Sequence, residues 1–326
     1  MTVRIKIFAL IALVLFSMIL SLSLGPAELS MREIWAGLTS HDSQNHHRII
    51  IQELRLPRTL LALIIGAGLG ASGAALQGFT RNDLAAPGIL GFSACAALGA
   101  VTCLYFGASP ALVAGGALLG TLIGIGAMLG IGGVKKGAST LILAGIGIGA
   151  LATALTGLIM NLSPNPWALS EIVYWMMGTL KDASLTDVIN CGVLTLVGII
   201  LLWWIARDLK TLSLGEVSAQ SLGVSIPKVQ IFIVLGVALC VGSSVAVAGT
   251  IGFVGLFVPH IVRRVINSDP EKLILRSALA GAVFLLWADM ATRLLSGPGT
   301  TLYIGMLTSL IGVPFFLYLV IKEVRS

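Results

Sequence analysis

LRLPRTLLALIIGAGLGASGAALQGFT, residues 54–80, decides the fold class. Arg55 and Arg58 bracket Pro57, and no further charged residue follows until Arg81. An α-helix needs about 20 mostly apolar residues to cross the roughly 30 Å hydrocarbon core of a bilayer, and this run supplies them. Proline suits the first helical position because its missing N–H would be unpaired there anyway. Gly, Ala and Ser fill much of the run, as expected where helices pack closely in lipid.

The rest of the chain reads the same way. Of 326 residues, 57% are hydrophobic and 10% charged, with a mean hydropathy of +1.01. A soluble domain carries about 25% charged residues. Apolar runs recur at 7–24, 57–79, 88–106, 111–133, 139–160, 187–206, 229–249, 252–266, 272–295 and 302–321. The expectation is an all-α polytopic membrane protein of about ten spans, a single transmembrane domain over 1–326. The eighth run is short and punctuated by Gly and Pro. The first follows Arg4 and Lys6 with no small-residue cleavage site after it, and reads as an uncleaved span.

A net charge of +6 and a pI of 9.4 do not indicate nucleic acid, because the basic residues sit at the ends of apolar runs. With both termini inside, the cytoplasmic set holds 14 Lys and Arg and the outer set 6. Spans 2–5 and 7–10 would then run in opposite directions. Each group opens with a small-residue helix leading into a Gly/Pro segment, SGAALQGFTRNDLAAPGILG and VAVAGTIGFVGLFVPHIV, so an inverted repeat is plausible. Residues 25–56 form a polar outer loop containing His46 and His47. Residues 207–228 form the longest cytoplasmic loop, and 169–180 an interfacial amphipathic piece anchored by Tyr174 and Trp175.

No membrane-enzyme constellation is present: neither HExxH nor GxSxG occurs. GVKKGAST at 133–140 is not the phosphate-binding GxxxxGK[ST] loop, so ATP hydrolysis would have to come from another chain. Cys95, Cys103, Cys191 and Cys240 lie in apolar runs without CxxC spacing and indicate neither disulfides nor a metal site. His260, beside Pro259, reads as a helix-packing histidine. Asp289 is the one acid deep in an expected span, and Arg293 stands at salt-bridge spacing from it. One acid makes no proton relay.

Several segments in order resemble the FecCD family of importer permeases. They are LRLPR at 54–58, SGAALQGFTRNDLAAPGILGFS at 72–93, ILAGIGIGA at 142–150, YWMMGTL at 174–180, LSLGEVSAQSLGV at 212–224, AVAGTIGFVGLFVPHIVR at 246–263, WADMATR at 287–293 and IGVPFF at 311–316. One departure stands out: the family reads RNPLA where this chain has RNDLA, with Asp83 in place of proline. The resemblance implies a homodimeric permease of a bacterial inner-membrane importer, served by two cytoplasmic ATPase subunits that use ATP and by a periplasmic substrate-binding protein. It implies no cofactor on this chain. The cargo would be a metal chelate: an iron-siderophore first, heme or cobalamin next.

Roles implied by the resemblance fall on three sets of residues. Arg55, Arg58 and Arg293 would stand exposed at the outer surface and meet acidic residues of the binding protein. Gly215, Glu216, Ala219, Leu222 and Gly223 would form the helix that couples to the ATPase. Gly137, Ala138, Ser139 and Thr140 would form a cytoplasmic gate, with Gly145, Gly147 and Gly149 on the pathway helix behind it, although simple packing explains those glycines equally well. The competing class is a gradient-driven secondary transporter of a small solute, which would need intramembrane ionisable residues.

Overall fold

The computed structural model describes residues 3–25, 29–40, 45–133, 138–266, 269–297 and 300–324, and these are overwhelmingly helical. Helix α1 spans Val3–Ser23, α2 Met31–Thr39 and α3 His46–Arg48. A π-helical turn, Ile49–Arg55, runs without a break into α4, Leu56–Thr80. A 3₁₀ turn at Pro87–Leu90 precedes α5, Phe92–Tyr105; α6 is Pro110–Gly132, α7 Ala138–Asn161 and α8 Pro166–Met176. The second half holds α9 (Leu185–Trp204), α10 (Ala206–Leu212), α11 (Glu216–Ser221), α12 (Ile226–Ala248), α13 (Val254–Ile266), α14 (Pro270–Leu295) and α15 (Ile304–Val324).

Every expected span coincides with a helix, but they are not of one length. Among the described residues, seven helices are long and apolar enough to cross a membrane: α1, the continuous α3–α4 run, α6, α7, α9, α12 and α14. The other three are α5, α13 and α15. Helix α5 has 14 residues, about 21 Å of rise. Helix α13 has 13 and ends on Arg263 and Arg264. Helix α15 has 21 residues and carries Pro314 inside it.

The polar stretch at 25–56 is largely helix rather than loop. Ser30 and Glu33 close a reciprocal capping box at the start of α2, and Asn45 caps α3. His46 and His47 therefore sit on a helical turn that feeds α4. The expected amphipathic piece is α8, where Tyr174 stacks on Tyr303 with ring centroids 5.9 Å apart. The polar segment 207–228 forms α10 and α11.

Burial sorts the long helices into two layers. The apolar windows of the α3–α4 run, α12 and α14 are 78%, 72% and 67% buried, whereas those of α1, α6, α7 and α9 are 17% to 33% buried. The inner three make the core, and the outer four present Leu, Ile and Phe to the surroundings. What sets the core is backbone proximity. A Cβ on Gly66 would stand 2.3 Å from the Gly281 oxygen, one on Gly70 2.1 Å from the Ser277 oxygen, and one on Gly73 1.7 Å from the Gly255 oxygen. Helix α4 thus lies directly against α14 and α13.

Those contacts make a test. Gly281→Ala would place its methyl 2.1 Å from the Gly66 oxygen, so the helices must part. Overpacking of this kind costs about 1–3 kcal/mol. Gly126→Ala, with nothing within 4 Å, should instead be neutral or gain up to about 1 kcal/mol in helix propensity. Thermal unfolding of the detergent-purified variants should separate the two.

Candidate functional site

Three regions hold the residues singled out by the sequence. At the α1–α4 end of the bundle, here the arginine end, Arg55 donates from Nη1 to the Leu22 and Ser23 oxygens at 2.7 and 2.9 Å. Arg58 donates from Nε to Asp289 Oδ1 at 2.8 Å, and its Nη2 reaches Thr292 Oγ1 at 3.4 Å. Arg293 pairs with the other Asp289 oxygen and donates from Nη1 to the Ser21 oxygen at 2.9 Å. A hydroxyl contact of 2.8 Å between Ser21 and Thr59 completes the seam joining α1, α4 and α14.

The expectation that all three arginines stand free at the surface is corrected here. Arg55 is 6% exposed, and the Arg293 side chain 5%. Only Arg58 keeps some outward surface, its side chain being 20% exposed, while Asp289 is fully buried. The reason is local. Helix α1 ends at Ser23, so its last carbonyls have no helical partner and attract cations. Asp289 supplies the one full negative charge. A guanidinium with five donors serves both at once. The expected pairing of Asp289 with Arg293 is present, with Arg58 as a third member.

At the opposite end, α10 is fixed to the start of α14 by Arg207–Glu271 at 3.2 Å and Lys210–Asp269 at 2.8 Å. The Lys210 hydrogen bond holds the Asp269 carboxyl below its usual range. Gly215 and Gly223, both at positive φ (105° and 89°), bracket α11. That backbone region favours glycine. Ala219 is buried beneath α11, while Leu214, Val217 and Leu222 are 65%, 80% and 66% exposed. Glu216 lies 3.9 Å from Arg81, the residue that ends α4. The residues expected to couple thus lie on and at the ends of one short helix, with Val217 exposed on it and Leu214 and Leu222 exposed beside it.

The residues expected to form the gate and pathway are only partly brought together. Gly137 lies outside the described residues. Ala138, Ser139 and Thr140 begin α7, with Ser139 exposed. A Cβ on Gly145 would stand 2.9 Å from Leu90 Cα and one on Gly149 2.8 Å from Gly91 Cα, so these two glycines seat α7 on the 3₁₀ turn. Gly147 faces open space. Sequence spacing could not separate these two situations.

A cavity of about 590 Å³ lies behind that seat, and sequence reasoning did not place it. One wall is the 3₁₀ turn with Ala86, Pro87, Gly88 and Ile89. The other is the non-helical stretch from Thr250 to Phe253 and the start of α13. Met176, Met177 and Met306 close the sides. None of the lining residues is ionisable, and none comes from α7. The two Gly/Pro segments noted in the sequence therefore both break their helices, and the two breaks meet at one cavity. Among the described residues no group of His, Cys, Asp and Glu is arranged to hold a metal ion.

Residues 13–322 match the model of the FecCD transport family. The chain belongs to that family. An iron(3+)-hydroxamate import system permease of Bacillus subtilis is 36% identical, over 94% of this chain and 80% of that protein. A hemin transport system permease of Yersinia pestis is 37% identical over 97% and 95%. A vitamin B12 import system permease of Vibrio cholerae is 35% identical over 97% and 93%. A solved metal-chelate type ABC transporter in an inward-facing conformation superposes with a TM-score of 0.87 at 32% identity, covering 98% of this chain and 99% of that one. The chain is a multi-pass membrane permease of the ABC importer type, whose members work with ATPases and substrate-binding proteins.

The buried triad generates a test. Asp289→Ala leaves two guanidinium groups without their countercharge, a change that costs about 3–5 kcal/mol when a buried pair is broken. Arg58→Ala should cost clearly less, since Asp289 keeps Arg293. Melting temperatures in detergent should follow the order wild type, Arg58→Ala, Asp289→Ala.

Proposed function

We propose that this chain is the translocation subunit of an importer for a bulky metal chelate in a bacterial inner membrane, working as a homodimer with two ATPase subunits and a periplasmic binding protein. The observation that carries this reading is the cavity between the two broken segments. Its 590 Å³ falls in the range of small-molecule sites, about 300–1,000 Å³. Methionines and Phe253 give it an adaptable apolar wall suited to a large, shielded ligand. The relatives compared above are named as permeases of import or transport systems and the solved neighbour as an ABC transporter, which speaks against gradient-driven transport. Iron-siderophore is the first cargo, with heme and cobalamin next, in keeping with what the relatives are named for.

A second copy would complete the pathway. Both termini would lie inside, and the arginine end would face the binding protein. Arg58 offers the accessible guanidinium there, while Arg55 and Arg293 hold the seam that positions it. Residues 137–140 would serve as the gate ahead of α7. Helix α11 would enter a groove of the ATPase with Val217 and Leu222 as its apolar contacts.

Uptake into proteoliposomes holding the permease with its ATPase, using binding protein loaded in turn with ferric hydroxamate, heme and cobalamin, tests the reading. ATP-dependent uptake of one of these chelates supports it. Uptake that follows an imposed ion gradient without ATP overturns it. Gly223→Arg adds a charged side chain at a backbone position of φ 89° at the exit of α11. The variant should insert normally yet lose co-purification of the ATPase by an order of magnitude or more in a pull-down.

A further inference from the structure

The short turn that follows α4 touches α11 and leads into the cavity wall. Arg81 ends α4 at φ 53°, an uncommon conformation for a non-glycine residue. The turn beyond it is held by its own hydrogen bonds: Asn82 N to Gln77 O at 3.3 Å, Leu84 N to Asn82 Oδ1 at 2.8 Å and Ala85 N to Asn82 O at 3.1 Å. These bonds fix the shape of the turn and tie it to the end of α4. One side reaches α11 through Arg81 and Glu216 at 3.9 Å. The other reaches α13, where Asp83 pairs with Arg263.

Arg263 carries the connection further. Its Nη2 donates to Gln77 Oε1 at 3.4 Å, and Gln77 Nε2 donates to the Leu256 oxygen at 3.2 Å. Leu256 lines the cavity, and three residues after Asp83 the chain enters the opposite cavity wall at Ala86–Ile89. The Asp83–Arg263 pair thus joins the two broken segments at the end where α11 sits.

We infer that the 81–85 turn transmits movement of α11 to the cavity, and that Asp83 is a positioning residue whose pair with Arg263 makes the two cavity walls move together. This rests on the reading that a partner ATPase acts on α11. The two walls also meet directly where Pro87 packs on Gly255, and the Asp83–Arg263 pair adds the side-chain link between them nearest to α11.

The test reads the cavity directly and needs no cargo. Ile89, on the cavity wall, is replaced by Cys, with Cys103→Ala removing the part-exposed native thiol; Cys95, Cys191 and Cys240 are buried. The complex with its ATPase is labelled with a membrane-impermeant maleimide, free of nucleotide and trapped with ATP and vanadate. With Asp83 intact, the labelling rate should differ several-fold between the two states. In Asp83→Ala the difference should collapse while the ATPase still co-purifies and the melting temperature holds, and Asp83→Glu should restore it. A several-fold difference retained in Asp83→Ala overturns the inference. So does loss of the ATPase from that variant, since the pair would then serve docking and not transmission. No difference with Asp83 intact would instead overturn the proposed function itself.

Discussion

Everything in this bundle depends on how closely α4 can approach its neighbours. Apolar helices gain little from hiding their faces from lipid that is equally apolar, so close packing must supply the attraction. Gly66, Gly70 and Gly73 let α4 lay its backbone against α14 and α13, and Gly281 and Gly255 answer from the other side. One consequence reaches beyond packing. The arginine seam is anchored on the first turns of α4 and the Gln77–Arg81 contacts on its last. A 25-residue helix, about 38 Å long, therefore links the two ends of the molecule as a stiff rod.

The charge at the arginine end obeys a second constraint. Three guanidinium groups and one carboxylate leave an excess of positive charge in a largely dry place, which is costly unless other negative potential is at hand. The final carbonyls of α1 provide it. Arg55 and Arg293 act as its C-terminal caps, delivered from two other helices. Gly25 belongs to the same arrangement, since a Cβ there would stand 2.8 Å from Arg55 Nη2.

The helices were legible in the sequence because hydropathy and length report them directly, and each expected span is a helix. The triad was half legible: Asp289 and Arg293 share a helix face and show their pairing by spacing, whereas Arg58 arrives from 231 residues away and leaves no local signal. Burial of Arg55 was hidden for the same reason, its partners being carbonyl oxygens that any residue carries. The segment at 25–56 was misread as loop although Ser30 and Glu33 spell a capping box, because its polarity outweighed its pattern. The glycines of α7 could not be told apart, since only the neighbouring 3₁₀ turn distinguishes Gly145 and Gly149 from Gly147. The cavity was invisible because its walls come from two breaks far apart in the chain.

Those breaks create a problem that the surrounding chain solves. Non-helical backbone inside a membrane protein must find hydrogen bonds within the protein. Ahead of α13 some are local, with Gly249 N donating to the Val245 oxygen at 3.0 Å and Val254 N to the Gly252 oxygen at 2.9 Å, and the stretch is tied to the α8–α9 connection by the Thr250 hydroxyl, which donates to the Met176 oxygen, and by Thr179 N, which donates to the Ala248 oxygen at 2.9 Å. Segments this close have no room for side chains, and a Cβ on Gly305 would stand 2.4 Å from both the Met177 and Thr250 oxygens. Much of the cavity wall is therefore fixed by backbone packing, leaving chemical variety to Met176, Met177, Phe253 and Met306. Apolar side chains of this kind discriminate by size and shape, and weakly, because a methylene changes affinity by only about 1–3 kcal/mol. On the proposed function, a pathway so lined would accept a class of bulky ligands and leave the finer choice among them to the binding protein.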